Sequence, residues 1–138
     1  MWDASGLELL FTKARTPLRW TTRPVEEALL RQIYDLVRMG PTSGNCCPAR
    51  IVFITGSNGR EKLRPALSAG NVNRVMGAPV IAVLAHDPLF FEQLPKLSPG
   101  EELRSWLAAD VGLPEETAFR HGTLQGGYMI MAARALGL

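Results

Sequence analysis

The sequence predicts an α+β domain with a central sheet flanked by helices, and three observations predict it. Two short apolar segments, Ile51 to Ile54 and Val80 to Ala85, are rich in β-branched residues and bounded by turn residues, as strands of a covered sheet are. Between Pro24 and Arg38, and again from Pro114 to Leu138, apolar residues follow helical spacing. Both strand segments are apolar on both faces, so each is expected to be buried on both and to need neighbours and covering layers. With 138 residues and 46% hydrophobic composition, the chain fits one domain, 1–138, with a real core.

Charge and composition exclude several classes of function. Fifteen basic against thirteen acidic residues leave a dispersed net +2, which argues against a nucleic-acid surface. The longest nearly continuous apolar run, Val75 to Ala85, holds Gly77 and Pro79 and is too short to span a bilayer. The start, Met-Trp-Asp, has neither a basic n-region nor an apolar h-region, so a cytoplasmic protein without a membrane partner is expected. The only two cysteines, Cys46 and Cys47, are adjacent, a spacing that suits neither a thioredoxin-type couple nor a zinc site. They read as reduced thiols beside a loop, with a redox pair as the alternative. His86 and His121 are too far apart in sequence to argue a metal site, and none is expected.

In chain order, Leu7, Leu10 and Phe11 give Leu7 to Lys13 the spacing of a short helix. Arg15, Arg19 and Arg23 follow in a Pro-interrupted segment, either as phosphate-gripping guanidinium groups or as solvated surface charges. Pro24 suits a helix's first turn, and Glu26 and Glu27 complement its positive end. Leu29, Ile33, Leu36 and Val37 form the apolar face of that helix, and Gly40-Pro41 stops it.

Pro41 to Arg50, PTSGNCCPAR, then lies at a helix-to-strand junction. Its small and hydroxylic residues suit either a plain turn or a cradle whose backbone approaches a flat, polar-edged ligand. Gly56-Ser57-Asn58-Gly59 ends the first strand. Arg60 to Leu67 reads as a short helix that Pro65 weakens. From Asp87 to Pro114 the pattern breaks down under Pro88, Pro95, Pro99 and Gly100. A lid or a surface excursion with a short helix near Glu101 to Leu107 is expected there. Glu115 and Glu116 open the last helix and Arg134 closes it, matching the dipole. Tyr128 to Leu138 is apolar nearly all round, which predicts burial on most sides. Gly126 and Gly127 predict close approach of another helix, within the chain or from a second subunit.

Taken together and in this order, ARTPLRW, GPTSGNCCPARIVFI, NVNRVMGAPVIAV and ETAFRHGTLQGGYMIMAARALGL resemble the flavin-dependent nitroreductase family. The likeness is greatest to its branch of malonic semialdehyde reductases of pyrimidine degradation. The resemblance runs from about Leu7 to Leu138 and implies a nitroreductase-like three-layer fold. It implies FMN as cofactor, with Arg15, Thr16 and Arg19 on its phosphate. Pro41, Thr42, Ser43 and Asn45 would form a loop reaching the flavin across a dimer interface, with Asn71 and Arg74 near the pyrimidine edge. It further implies a homodimer, NADH or NADPH as hydride donor, and a small carbonyl, nitro or quinone substrate, with no side chain needed as acid or base; the alternative is an inactive fragment or binding module that keeps the fold without the cofactor. Cys47 stands where the family often has Gln. The family also continues past Leu138, so the C-terminal part of the fold is expected to be missing from this chain.

Overall fold

The computed structural model describes residues 4–97, 101–110 and 112–138, and the chain forms two compact units. The first comprises Met1–Arg31 and Val52–Val83, and the second Gln32–Ile51 and Leu84–Leu138. Among the described residues the sheet has two strands, β1 (Ala49–Ile54) and β2 (Ile81–His86), hydrogen-bonded to one another. Both were expected to be buried on both faces, and they are not. Burial alternates along β1, where Val52 is 58% exposed, and β2 carries exposed Ala82, Leu84 and Ala85. Successive strand residues point to opposite faces, and no residue of either strand is fully buried.

The first unit is built from short pieces. The expected helix over Leu7 to Lys13 is α1 (Ala4–Leu7) followed by one wider, π-helical turn over Glu8–Thr12, in which Lys13 N–H reaches back to Glu8 O at 2.9 Å. Next come α3 (Ser57–Leu63), with 3-10 turns over Arg64–Ala66 and Ala69–Asn71, and α4 (Val72–Met76), which the sequence reading missed. The Ser57-Asn58-Gly59 stretch, expected as a turn, is the first turn of α3. Gly59 fits there because a Cβ would lie 2.8 Å from Ile54 Cγ2, so the helix sits close on the strand end. Pro65 ends α3 and starts the 3-10 turn, as a residue without N–H does. Arg60 Nη2 donates to Thr55 O at 3.2 Å and Pro79 O at 2.6 Å, tying the exit of β1 to the entry of β2.

Helix α2 (Glu27–Val37) leads from the first unit into the second. Its buried seam is Leu30, Ile33 and Val37, whereas Leu36, expected in the core, is 48% exposed. The stripe is narrower than the residue pattern suggested, because Leu29 is only half-covered.

The second unit holds a dense apolar cluster. Phe90, Leu94, Leu107, Ala118 and Cys46 are buried together, with Phe91, Leu103 and Leu113 packed against them. Most of these residues come from the segment expected to be a lid or surface excursion. That segment instead folds as a 3-10 turn over Phe90–Gln93, α5 (Leu94–Leu97) and α6 (Glu101–Ala109). Pro95 sits in the first turn of α5, where a proline starts a helix rather than breaking one. Pro99 and Gly100, also part of that reading, lie outside the described residues.

Helix α7 (Leu113–Ala135) closes the unit. Gly122 and Gly126, four residues apart on one face, meet strand β2: a Cβ on Gly122 would approach His86 Cβ at 3.0 Å, and one on Gly126 would strike the Leu84 side chain. Within the chain the close partner of Gly126 is a strand and not a helix, and Gly127 has nothing within 4 Å. Nor is the helix buried on most sides, since Phe119 is 61% and Ile130 62% exposed. Among the described residues no helix is long and apolar enough to cross a membrane.

Candidate functional site

A cleft of about 470 Å3 lies within the first unit, lined by Leu18, Arg19, Trp20, Gly70, Asn73, Arg74 and Gly77. The segment before α2 supplies one wall, and the turn into α4 with α4 itself supplies the other. One hydrogen bond fixes the two walls: Trp20 Nε1 donates to the carbonyl of Arg74 at 2.6 Å. Gly77 lies beside it. A Cβ there would lie 3.3 Å from Asn73 O and 3.5 Å from Trp20 Cδ1.

Two guanidinium groups, Arg19 and Arg74, therefore line one concavity, and among the described residues no carboxylate pairs with either. Other arginines are committed. Arg31, Arg38, Arg50, Arg64, Arg104 and Arg120 each pair with an acidic residue. Arg15 turns to the backbone carbonyls of Thr12, at 3.1 Å, and Ala14, at 2.6 Å. Two cations facing a half-apolar, glycine-walled cleft form an arrangement for an anion attached to a flat or apolar group.

Of the residues expected on the first unit's side, the cleft gathers Arg19 and Arg74. Arg15, Thr16 and Asn71 do not line it, and Asn71 Nδ2 instead donates to Ser68 Oγ at 3.1 Å. The sequence reading missed Leu18, Trp20, Gly70, Asn73 and Gly77. Asn73 and Gly77 are four residues apart, a helical spacing that would have placed them on one face had α4 been seen.

In the second unit, Pro41, Thr42, Ser43 and Asn45 do come together as a tight loop with a 3-10 turn over Ser43–Asn45. Its backbone runs left-handed at Gly44 (φ 57°), Asn45 (φ 52°) and Cys47 (φ 41°). Glycine and asparagine tolerate this region, whereas Cys47 is strained there, at a cost of about 1–2 kcal/mol. Side chains hold the shape. Thr42 Oγ1 accepts from Cys47 N–H at 3.2 Å, Asn45 Nδ2 donates to Leu97 O at 2.6 Å, and Asn45 Oδ1 accepts from the Cys47 thiol at 3.4 Å. Thr42 is thus used inside the loop and Asn45 both inside it and on Leu97, while Ser43 is exposed.

Helix α7 grips this loop with residues at helical spacing. Tyr128 donates its hydroxyl to Pro41 O at 2.8 Å, His121 Nδ1 accepts from Ser43 N–H at 3.5 Å, and Gln125 Oε1 accepts from Ala49 N–H at 2.9 Å. Gln125, at 5% exposure, is the buried polar side chain that this bond satisfies. Both cysteines are free thiols. Burial pushes the Cys46 thiol above its ordinary value near 9.0, the Thr42 hydrogen bond opposes that shift, and neighbouring Cys47 adds to it.

No protein-family model matches the sequence. Solved structures do resemble the chain. A Bacillus subtilis protein described as a nitroreductase superposes with a TM-score of 0.81 at 16% identity, over 98% of this chain and 73% of its own. An Exiguobacterium sibiricum protein of like description, solved in complex with FMN, gives 0.80 at 19% identity, over 99% and 73%. CLA-ER, an enone reductase of gut-bacterial fatty acid saturation, gives 0.82 at 15% identity, over 98% and 72%. The chain has the nitroreductase-like fold, helices around a small sheet, and spans about 73% of the length of such chains.

Proposed function

We propose that this chain is the FMN-binding part of an oxidoreductase, and that the Arg19–Arg74 cleft holds the flavin. The observation that carries this is the pair of arginines that, among the described residues, have no carboxylate partner and share one cleft of about 470 Å3, within the range of small-molecule sites. The residues fit the group. Two guanidinium groups match a phosphate, Leu18 offers apolar surface, and Asn73 offers an amide. Similarity in fold to an FMN complex supports the same reading.

Bound FMN would supply the redox chemistry, taking hydride from NADH or NADPH and passing it to the substrate. The chain's residues bind and orient. Arg19 and Arg74 bring positive charge to where anionic charge gathers, and the loop over 41–47 offers backbone groups and the Ser43 hydroxyl in a fixed shape. Arg15, Thr16 and Asn71 would join the cofactor only by turning from their present positions. As substrate we infer a small electron-poor carbonyl compound, specifically malonic semialdehyde reduced to 3-hydroxypropanoate. Nitroaromatics or quinones are the other substrates that the same flavin chemistry serves.

We further infer a homodimer in which the loop of one copy meets the flavin of the other. Its support is the open stripe on α7, where Phe119, Leu124 and Ile130 are exposed and Gly127 adds no side chain. The absorbance spectrum of the purified protein, followed by FMN titration with and without Arg19→Ala, tests the cofactor reading. Flavin bands with weakened binding in the variant are expected. Equal affinity in both proteins would remove the cleft from the site.

A further inference from the structure

The structure assigns to Trp20 the role of positioning residue for the pair of arginines, an inference that rests on the cleft reading above. Arg19 precedes Trp20 directly in the chain, and the indole N–H of Trp20 is donated to the carbonyl of Arg74 itself, at 2.6 Å. One side chain thereby ties together the two backbone segments, 54 residues apart, that carry the arginines. Among the described residues neither guanidinium group has a carboxylate partner, so no charge within the cleft draws the two segments together. The indole contact does that in its place. Gly77 lines the same cleft, and a Cβ there would make only ordinary contact with the ring, 3.5 Å from Trp20 Cδ1. The ligand chemistry that a fixed pair of cations recognises is a phosphomonoester dianion, which either FMN or inorganic phosphate supplies.

The test is a double-mutant cycle on the full chain, with FMN affinity read by fluorescence titration and inorganic phosphate as competitor. Trp20→Phe keeps the ring and removes the donor. It is expected to weaken both FMN and phosphate by about three- to tenfold in the native background, the yield of one hydrogen bond. In the Arg74→Ala background it should weaken neither further. An equal loss in both backgrounds would mean that Trp20 acts on the fold or touches the ligand directly, and would overturn the proposal. If Arg19→Ala and Arg74→Ala abolish binding while Trp20→Phe changes nothing, the cleft reading stands and the positioning role fails. If none of the three changes affinity, both fail. A second readout needs no variant of Trp20. With 15N-labelled protein carrying Trp2→Phe and Trp106→Phe, the remaining indole N–H resonance should exchange slowly with solvent and shift on addition of phosphate. A fast-exchanging resonance, or one unmoved by saturating phosphate, overturns the assignment.

Discussion

The two units of the chain divide charge and apolar weight unequally. Met1–Arg31 with Val52–Val83 carries nine basic and five acidic residues, a formal +4, and none of the helices or turns assigned wholly to it contains a fully buried residue. Gln32–Ile51 with Leu84–Leu138 carries six basic and eight acidic residues, a formal −2, together with the cluster around Phe90 and Leu94. The near-neutral total of the chain conceals this separation. The first unit trades core for a cationic cleft, and the second uses its core to hold a loop in a shape that local preference alone would not choose.

Mutations should separate the two accordingly. Phe90 is fully buried, so Phe90→Ala should cost about 3–5 kcal/mol, read as a shift in the urea midpoint. Leu63→Ala in the first unit, at a half-covered site, should cost no more than about 1–2 kcal/mol. Equal costs would break the comparison.

Arg74→Ala should show the reverse pattern. FMN binding should fall by about 1.5–3 kcal/mol while the melting temperature barely moves, because Arg74 is exposed, has no ion pair among the described residues, and so contributes little to folding. A large drop in melting temperature would show that the cleft is structural.

Gly40→Ala sharpens the picture of the second unit. Its Cβ would run into the ring of Tyr128, the residue that holds Pro41 O, so a loss of about 1–3 kcal/mol is expected from overpacking. Combining it with Tyr128→Ala should recover part of the loss. Full additivity of the two changes would deny the contact.

The smallest effect concerns pH. The raised Cys46 pKa means that the folded protein holds this proton more tightly than the unfolded chain. Its contribution to stability is fully present below the ordinary value near 9.0 and is lost as pH rises through the folded value. Urea unfolding should therefore show an alkaline decline above about pH 9 that is shallower in Cys46→Ala. Identical slopes would remove Cys46 as its source.

Helix α2, both strands, α7 and the loop at 41–50 were legible because each carries a strong local signal: a stop at Gly40-Pro41, β-branched runs, or a proline and glutamates in a first turn. The core of the second unit was hidden by its prolines, read as loop punctuation although Pro95 opens a helix. Phe90 with Leu94, and Leu103 with Leu107, stand at i, i+4 and were the available clue. The cleft was half legible. Arg19 and Arg74 followed from the family resemblance, but Trp20 enters through a contact 54 residues away, which no local pattern records. Thr42 and Asn45 were rightly singled out as loop residues, yet their polar groups turn inward to their own backbone and neighbours, a choice that residue type does not reveal.

The bonds from Tyr128, His121 and Gln125 to the loop set its clock. A loop of small residues would ordinarily exchange its amide hydrogens with solvent within seconds. Here the Ala49 amide is donated to a side chain buried in the face of a 23-residue helix, and releasing it requires that helix to lift or unravel. The loop's exit into β1 and the helix are therefore expected to open together, and the Ala49 amide should exchange more slowly than the composition of its neighbourhood suggests.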